Sequence, residues 1–467
     1  MYWKEWCLMI DLLIKNATVL DGTTRPRWMG NIGVQNGKIV SFKQHVDAKR
    51  VIDANGMFLA PGFIDMHSHG DLIYGEEYAR LCKTAQGITT EICGQCGVSM
   101  FPVRPERLDA LKKHCSLGTY YYPKDMASWS SFREYSKYVD QLALSANTMV
   151  LTGHGSIRIA VMGFDNRKPT RKEMEDMKSL LREAMENGSL GLSTGLIYPP
   201  GCYADTDELV ELAKIVAEYG GIYATHMRNE SDHVVAAVKE AIEIGKKTNV
   251  HVNISHHKIY GRPNWGKSKE TLELINTAVM DGQQITLDQY PYEASMTNFN
   301  VCIPPQYFSE GSNKLVDYLK SENHRKEIEQ KMRLDSGEFD NYYINCGGWN
   351  NIFIATLPKT PEYSGMFVSE CADKMGVDPF EAYFRLVIEN ECEGTGIYFS
   401  MCDEDMNRII QNPNTVIGTD GLCKARMESG HPRAWGSFPY AIKHYCFDNK
   451  VLSLEEMVHK MTLLPAQ

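Results

Sequence analysis

Two histidines one residue apart, His67-Ser68-His69, close the apolar run Phe58 to Met66. Strand side chains alternate with period two, so both imidazoles face one side where a buried strand gives out. Such a pair is either half of a metal site or a set of satisfied polar loop residues. Further soft donors end other apolar runs: Cys96 follows Thr89 to Ile92, His226 follows Ile222 to Thr225, and His256 follows His251 to Ser255. One thiolate and four imidazoles form the donor set that suits zinc. Asp420 ends the run Thr415 to Thr419, where a carboxylate can both ligate a metal and accept a proton. His257 should point away from its neighbour His256. His154, in Thr152-Gly153-His154-Gly155, reads either as a satisfied loop residue or as a functional one.

Two motifs invite other chemistry. Cys93-Gly94-Gln95-Cys96 fits a redox pair, a zinc ribbon or a single ligand. A redox pair should open a helix, and a ribbon needs a second such motif; neither condition is met. One thiolate beside the histidines, with the other as an ordinary buried Cys, is the remaining reading. Gly191-Leu192-Ser193-Thr194-Gly195 fits a nucleophile elbow, but Pro199-Pro200 replaces the helix which that motif requires. Ser193 is therefore expected to be structural.

The elements that must position these residues change character near Ala60-Pro61-Gly62. Before it, short strands over Leu12 to Leu20, Gly30 to Val34, Lys38 to Phe42 and Arg50 to Asp53 alternate with the turn signals Asp21-Gly22, Asn36-Gly37 and Asn55-Gly56. This predicts a small antiparallel β unit over residues 1–60. After it, strand and helix alternate at roughly 30 residues per unit, as parallel strands with helical crossovers do. One such helix is capped by Thr170, carries Met174, Met177, Leu181 and Met185 at helical spacing, and stops at Asn187-Gly188. A barrel and an open sheet share this rhythm, but only a barrel brings the ends of many strands to one point. The expectation is an α/β chain whose residues 61–467 form a (β/α)8 TIM-like barrel. Residues 293–413 break the rhythm and are expected to form an insertion, or lid, before the last barrel strand.

In order along the chain, Pro61-Gly62-Phe63-Ile64-Asp65-Met66-His67-Ser68-His69, Gly94-Gln95-Cys96-Gly97, Ser193 to Pro200, Ala224-Thr225-His226-Met227-Arg228, Ile254 to Lys258, Asp288 to Tyr292, Gly418-Thr419-Asp420-Gly421 and His431 to Gly436 carry a specific pattern. It resembles the amidohydrolase superfamily and, within it, the N-acyl-D-amino-acid deacylases, or D-aminoacylases. Many superfamily members bridge two metals with a lysine on the fourth barrel strand. Leu190 to Thr194 has none, and Cys96 resembles the bridging ligand of the deacylases. The resemblance implies a tight zinc site of Cys96, His226 and His256, and a weaker one of His67, His69, Cys96 and Asp420. It implies that Asp420 is the catalytic acid and base, and that Arg433, Lys258, Tyr198 and Tyr292 bind the substrate carboxylate. It also implies a small N-terminal β-sandwich domain that is only partial here, since the chain stops at Leu463 to Gln467 where the family continues with strands returning to it. Gln95 and the loop from Cys423 to Gly430 depart from the family pattern.

Composition excludes other classes. A net charge of -10, with no basic run, argues against nucleic-acid binding. No transmembrane run is visible, and the apolar start is interrupted by Lys4 and Glu5. Thirteen cysteines fit reduced thiols in a cytoplasmic protein. The expected function is zinc-dependent hydrolysis of N-acyl-D-amino acids, small-molecule substrates. The alternatives are a cyclic-amide or dipeptide hydrolase of the dihydropyrimidinase or dihydroorotase type, a non-catalytic relative, and, weakest, a serine hydrolase through Ser193.

Overall fold

The computed structural model describes residues 9–41, 46–74, 76, 79–115, 126–334, 337–422 and 430–467. Residues 423–429, most of the loop that departs from the family pattern, lie outside the described residues.

The first strands are β1 (Ile10–Val19), β2 (Trp28–Gln35), β3 (Lys38–Val40), β4 (Ala48–Asp53) and β5 (Phe58–Leu59). They form one sheet in the order β3-β2-β1-β4, with β5 also on β1. The expected antiparallel unit needs correction here. β1 runs antiparallel to β2 but parallel to β4 and β5, so the described sheet is mixed. Asp21-Gly22 and Asn36-Gly37 make the β1–β2 and β2–β3 reversals, whereas Asn55-Gly56 joins β4 to β5 without a hairpin, since both run parallel to β1. The helix Leu454–Met461 packs on this sheet, with Leu454 and Val458 against Leu20 and Glu455 paired to Arg27 at 2.8 Å.

The chain then lays down β6 (Phe63–Asp65), β7 (Ile88–Cys93), β8 (Asn147–Val150), β9 (Thr152–Gly153), β10 (Gly191–Gly195), β11 (Ile222–His226), β12 (His251–Ile254) and β13 (Ile285–Gln289). It leaves to build a three-stranded antiparallel sheet from β14 (Ala294–Asn298), β15 (Ile352–Thr356) and β16 (Thr395–Phe399), with its own apolar core, and returns with β17 (Thr415–Ile417). β8 and β9 are two halves of one staircase position, so β6, β7, β8/β9, β10, β11, β12, β13 and β17 make an eight-stranded parallel barrel. The helix Arg171–Glu186 shows why the sequence signals worked. Thr170 and Glu173 form a reciprocal capping box, and Met177, Leu181 and Met185 are buried against the barrel. Among the described residues no helix is long and apolar enough to cross a membrane.

The barrel closes between β17 and β6, just beneath the His67-Ser68-His69 turn. The Met66 amide donates to the Ile417 carbonyl at 3.3 Å, and the Asp420 amide donates to the His67 carbonyl at 2.8 Å. A buried side-chain clasp reinforces the seam. Asp65 accepts from the Thr419 amide at 2.8 Å and from Lys83 Nζ at 2.5 Å, and Lys83 also donates to the Thr419 hydroxyl at 3.0 Å. Burial would strip the proton from Lys83, but Asp65 and Glu91 outweigh it and hold the ammonium charged. Breaking a buried pair leaves an uncompensated charge and costs about 3–5 kcal/mol. Lys83→Met is therefore expected to lower the unfolding free energy by about that amount in urea denaturation; a shift too small to resolve would contradict this account of the seam.

Candidate metal centre

The strand ends converge as a barrel requires. His67 and His69 follow β6, Cys96 follows β7, His226 ends β11, His256 follows β12 and Asp420 follows β17. All six are buried. The donor atoms of His67, His69, Cys96 and Asp420 lie within 4.8 Å of one another, and so do those of Cys96, His226 and His256. Cys96 belongs to both groups. Its Sγ stands 3.4 Å from His67 Nε2 and 3.4 Å from His256 Nε2.

The backbone that delivers these groups is strained. Cys96, His256 and Asp420 have φ values of 54°, 35° and 46°, in the left-handed region that non-glycine residues rarely adopt. Each such residue costs on the order of 1–3 kcal/mol and persists only where its surroundings over-determine it. The Cys96 loop shows what those surroundings are. A Cβ on Gly94 would meet the Leu151 carbonyl oxygen at 2.1 Å, and one on Gly97 would meet the Gly195 amide at 2.7 Å, so the loop lies flat on neighbouring backbone. Ser193 clasps it from β10, donating to the Gly94 carbonyl and accepting from the Gly97 amide at 3.1 Å. Gln95 donates to the Met66 carbonyl at 2.9 Å and ties the loop to the first barrel strand.

Carboxylates orient the imidazoles from behind. Asp288, within β13, lies 3.0 Å from His67 Nδ1 and accepts from the His256 amide at 2.8 Å. Glu230 lies 3.0 Å from His256 Nδ1 and 2.6 Å from Lys258 Nζ. Both rings thus turn Nε2 toward the sulfur, the arrangement that carboxylate–histidine partners impose at metal sites. Burial would push the Cys96 thiol up, but His67 and His256 outweigh it and hold it well below the ordinary range, as a thiolate. Burial lowers the pKa of His226 and keeps it neutral, and neither of its ring nitrogens makes a hydrogen bond. A buried thiolate among neutral and carboxylate-backed imidazoles, with an unpartnered ring aimed at it, fits a bound zinc ion.

Asp420 turns one oxygen to the histidines, 3.2 Å from His69 Nε2 and 3.6 Å from His67 Nε2, and the other to Arg433 Nη1 at 2.8 Å. Burial would raise its pKa, but Arg433 and His69 hold it well below the usual carboxylate range. Arg433 also donates from Nη2 to the Met296 carbonyl at 3.0 Å, while its Nε has no partner. Lys258 and Tyr198 line the same cavity, Tyr198 with its ring 5.1 Å from that of His226 and its hydroxyl 2.9 Å from Thr297 Oγ1. The insertion supplies one wall through Ser295, Met296, Thr297 and Tyr342.

Tyr292 is not among the lining residues. It stacks on Tyr440 at 4.7 Å and meets the His431 ring at 5.0 Å. Tyr290 does line it, with its ring under both Arg433, at 4.9 Å, and Lys258, at 5.6 Å. β13 ends at Gln289, and beyond Pro291 the alternation that would bring Tyr292 back inward no longer holds. Glu230 and Asp288 also escaped the sequence reading. An ionisable residue inside the buried run Ile285 to Gln289 is the signal that could have found Asp288; Glu230, in an irregular turn after His226, offers none. Cys93 lies outside both groups, hydrogen-bonded to the Tyr74 hydroxyl at 3.1 Å. His257 bonds Thr271 at 3.0 Å and His154 bonds Glu208 at 2.8 Å, both away from the sulfur.

An eight-stranded barrel with histidine, cysteine and aspartate converging at its C-terminal face defines a metal-dependent hydrolase class, and residues 50–325, more than half of the chain, match the amidohydrolase family. The chain belongs to that family. It is similar to the N-acyl-D-aspartate deacylase of Alcaligenes xylosoxydans xylosoxydans, with 34% identity over 98% of this chain and 81% of that protein. Its fold matches the N-acyl-D-glutamate deacylase of Bordetella bronchiseptica, crystallised with zinc and a phosphonate mimic of the tetrahedral intermediate. That match has a TM-score of 0.79 and 32% identity, covering 98% of this chain and 85% of that one. A D-aminoacylase with a binuclear metal centre, described as activated by one metal and attenuated by the second, matches with a TM-score of 0.77 and 32% identity over 98% and 85%.

The clasp predicts a measurable role for Ser193. Ser193→Ala is expected to weaken zinc binding by about 10–100-fold, as loss of a supporting contact does, in a chelator competition, while leaving a residual hydrolytic activity. Unchanged zinc affinity would contradict the clasp, and complete loss of activity with zinc retained would restore the serine-nucleophile reading.

Proposed function

We propose that this chain is a zinc-dependent hydrolase that cleaves N-acyl-D-amino acids to a carboxylate and a free D-amino acid. The observation that carries the reading is the single buried thiolate shared by two donor groups, in a chain similar throughout to named N-acyl-D-amino-acid deacylases. Cys96, His226 and His256 would hold the tight zinc, and His67, His69 and Asp420 would complete a second, weaker site with the same sulfur. Zinc bound there supplies a Lewis acid and lowers the pKa of water toward neutrality.

The chain's own groups do the rest. Asp420, held ionised by Arg433, takes a proton as water attacks the amide carbonyl carbon. It returns that proton to the amide nitrogen as the C–N bond breaks, which releases the amine and leaves the acyl group as a carboxylate. Arg433, through its unpartnered Nε, together with Lys258, Tyr198 and Tyr290, would bind the substrate's α-carboxylate. Glu230 keeps Lys258 in place through their 2.6 Å ion pair. The reading sets this reaction in the cytoplasm on a small molecule; the eleven free cysteines among the described residues fit a reducing compartment.

A panel of N-acetyl D- and L-amino acids, scored for amine release, tests the proposal. D-isomers are expected to be cleaved, with activity abolished by chelation and restored by zinc. Turnover of L-isomers alone, or activity indifferent to chelation, would sink it. Within the same assay Asp420→Asn should lower kcat by about 10²–10⁴-fold, the usual worth of a positioned general base, while zinc at the tight site is retained.

A further inference from the structure

The cavity around Cys96 opens only about 40 Å³ to a water-sized sphere. One water needs roughly 10–15 Å³ on that measure, so the cavity holds ions and a few waters but not a whole substrate. A second chamber of about 800 Å³ adjoins it between the barrel mouth and the insertion, and Tyr198 and Tyr342 line both. That volume is in the range of small-molecule sites, about 300–1,000 Å³. The hydrogen bond between the Tyr198 and Thr297 hydroxyls joins the barrel to the insertion at this partition.

The chamber's chemistry is one-sided. Its walls are apolar at Val98, Phe164, Leu196, Ile197, Val301 and Phe308. Its charged lining among the described residues is Asp109, Glu338, Asp340, Glu391 and Glu393 against Lys113 and Arg228. Arg228 is already held by Glu240, at 3.0 and 3.1 Å through two nitrogens, and Glu391 by Lys359 at 2.7 Å. Burial pushes Asp340 up to about 6, so the acidic lean of the lining comes from Asp109, Glu338 and Glu393 against Lys113. His114 adds no charge, since burial pushes its pKa down to about 4. Bringing a second negative charge against such a rim is unfavourable, whereas an apolar or cationic group meets complementary surroundings.

We infer that this chamber receives the arm of the substrate that extends away from the metal cavity, and that it selects an uncharged or cationic arm over an acidic one. This rests on the proposed deacylase reading and deepens it. The chain matches relatives named for aspartate and glutamate derivatives, yet its own chamber opposes a second carboxylate. Two parts of an N-acyl amino acid share this chemistry, the side chain and the acyl tail, and they are separable by experiment.

With the zinc-loaded full chain, kcat/KM is measured for the N-acetyl derivatives of D-methionine, D-lysine, D-aspartate and D-glutamate, and then for N-hexanoyl- and N-succinyl-D-methionine. The expected result is a preference of at least about tenfold for the uncharged or cationic member of one series. Discrimination in the first series assigns the chamber to the side chain, and discrimination in the second assigns it to the acyl tail. The double variant Glu338→Lys/Glu393→Lys, at one exposed and one half-buried lining position, should narrow that ratio by about tenfold. Acidic members turned over as well as neutral ones in both series, or a ratio unmoved in the double variant, would overturn the inference. Failure to cleave any N-acyl-D-amino acid would remove the deacylase reading itself, and this inference with it.

Discussion

Cys96 Sγ, 3.4 Å from a nitrogen of His67 and 3.4 Å from a nitrogen of His256, is the contact around which the rest of the structure is arranged. A thiolate in a buried pocket is unfavourable unless positive charge or a metal faces it from several directions. Those directions come from strands far apart in sequence, which only a closed barrel brings together. The strain at Cys96, His256 and Asp420 follows from the same demand: each chain must turn sharply at its strand end to aim inward. A few kcal/mol of backbone strain is small beside the roughly 10–16 kcal/mol that a zinc ion contributes when cysteine and histidine close around it.

The six donors are legible in the sequence because they lie at the ends of five apolar runs, with His67 and His69 sharing one, and strand alternation then dictates which way each points. Cys96 is told from Cys93 by the family resemblance and not by alternation, since Cys93 is the residue that directly follows Ile92. The second layer is not legible in that way. Ser193 lies within a nucleophile-elbow pattern, but its partners, Gly94 and Gly97, are about a hundred residues away, and only the register of neighbouring barrel strands shows that it is a clasp. Glu230 carries no periodic signal because it sits in an irregular turn. Tyr290 and Tyr292 differ by one step in where a strand stops, which propensity does not decide.

The fold is legible to a similar depth. Thr170 and Asn187-Gly188 bound one crossover helix, and the recurring strand-helix rhythm announces the barrel. The first sheet is less so: its hairpin turns are visible, but parallel return of β4 and β5 to β1 depends on contacts with no local signature. The insertion is visible as a break in rhythm. That it contributes Ser295, Met296, Thr297 and Tyr342 to the metal cavity depends on how its own core docks against the barrel mouth, and couples its position to access at the site.

The shared sulfur is the central claim, and X-ray absorption at the zinc edge tests it most directly. The zinc-loaded chain should show a sulfur scatterer at about 2.3 Å beside nitrogen and oxygen neighbours at about 2.0–2.2 Å, and Cys96→Ser should lose the sulfur shell. A first shell of nitrogen and oxygen alone in the unmodified protein would contradict the account.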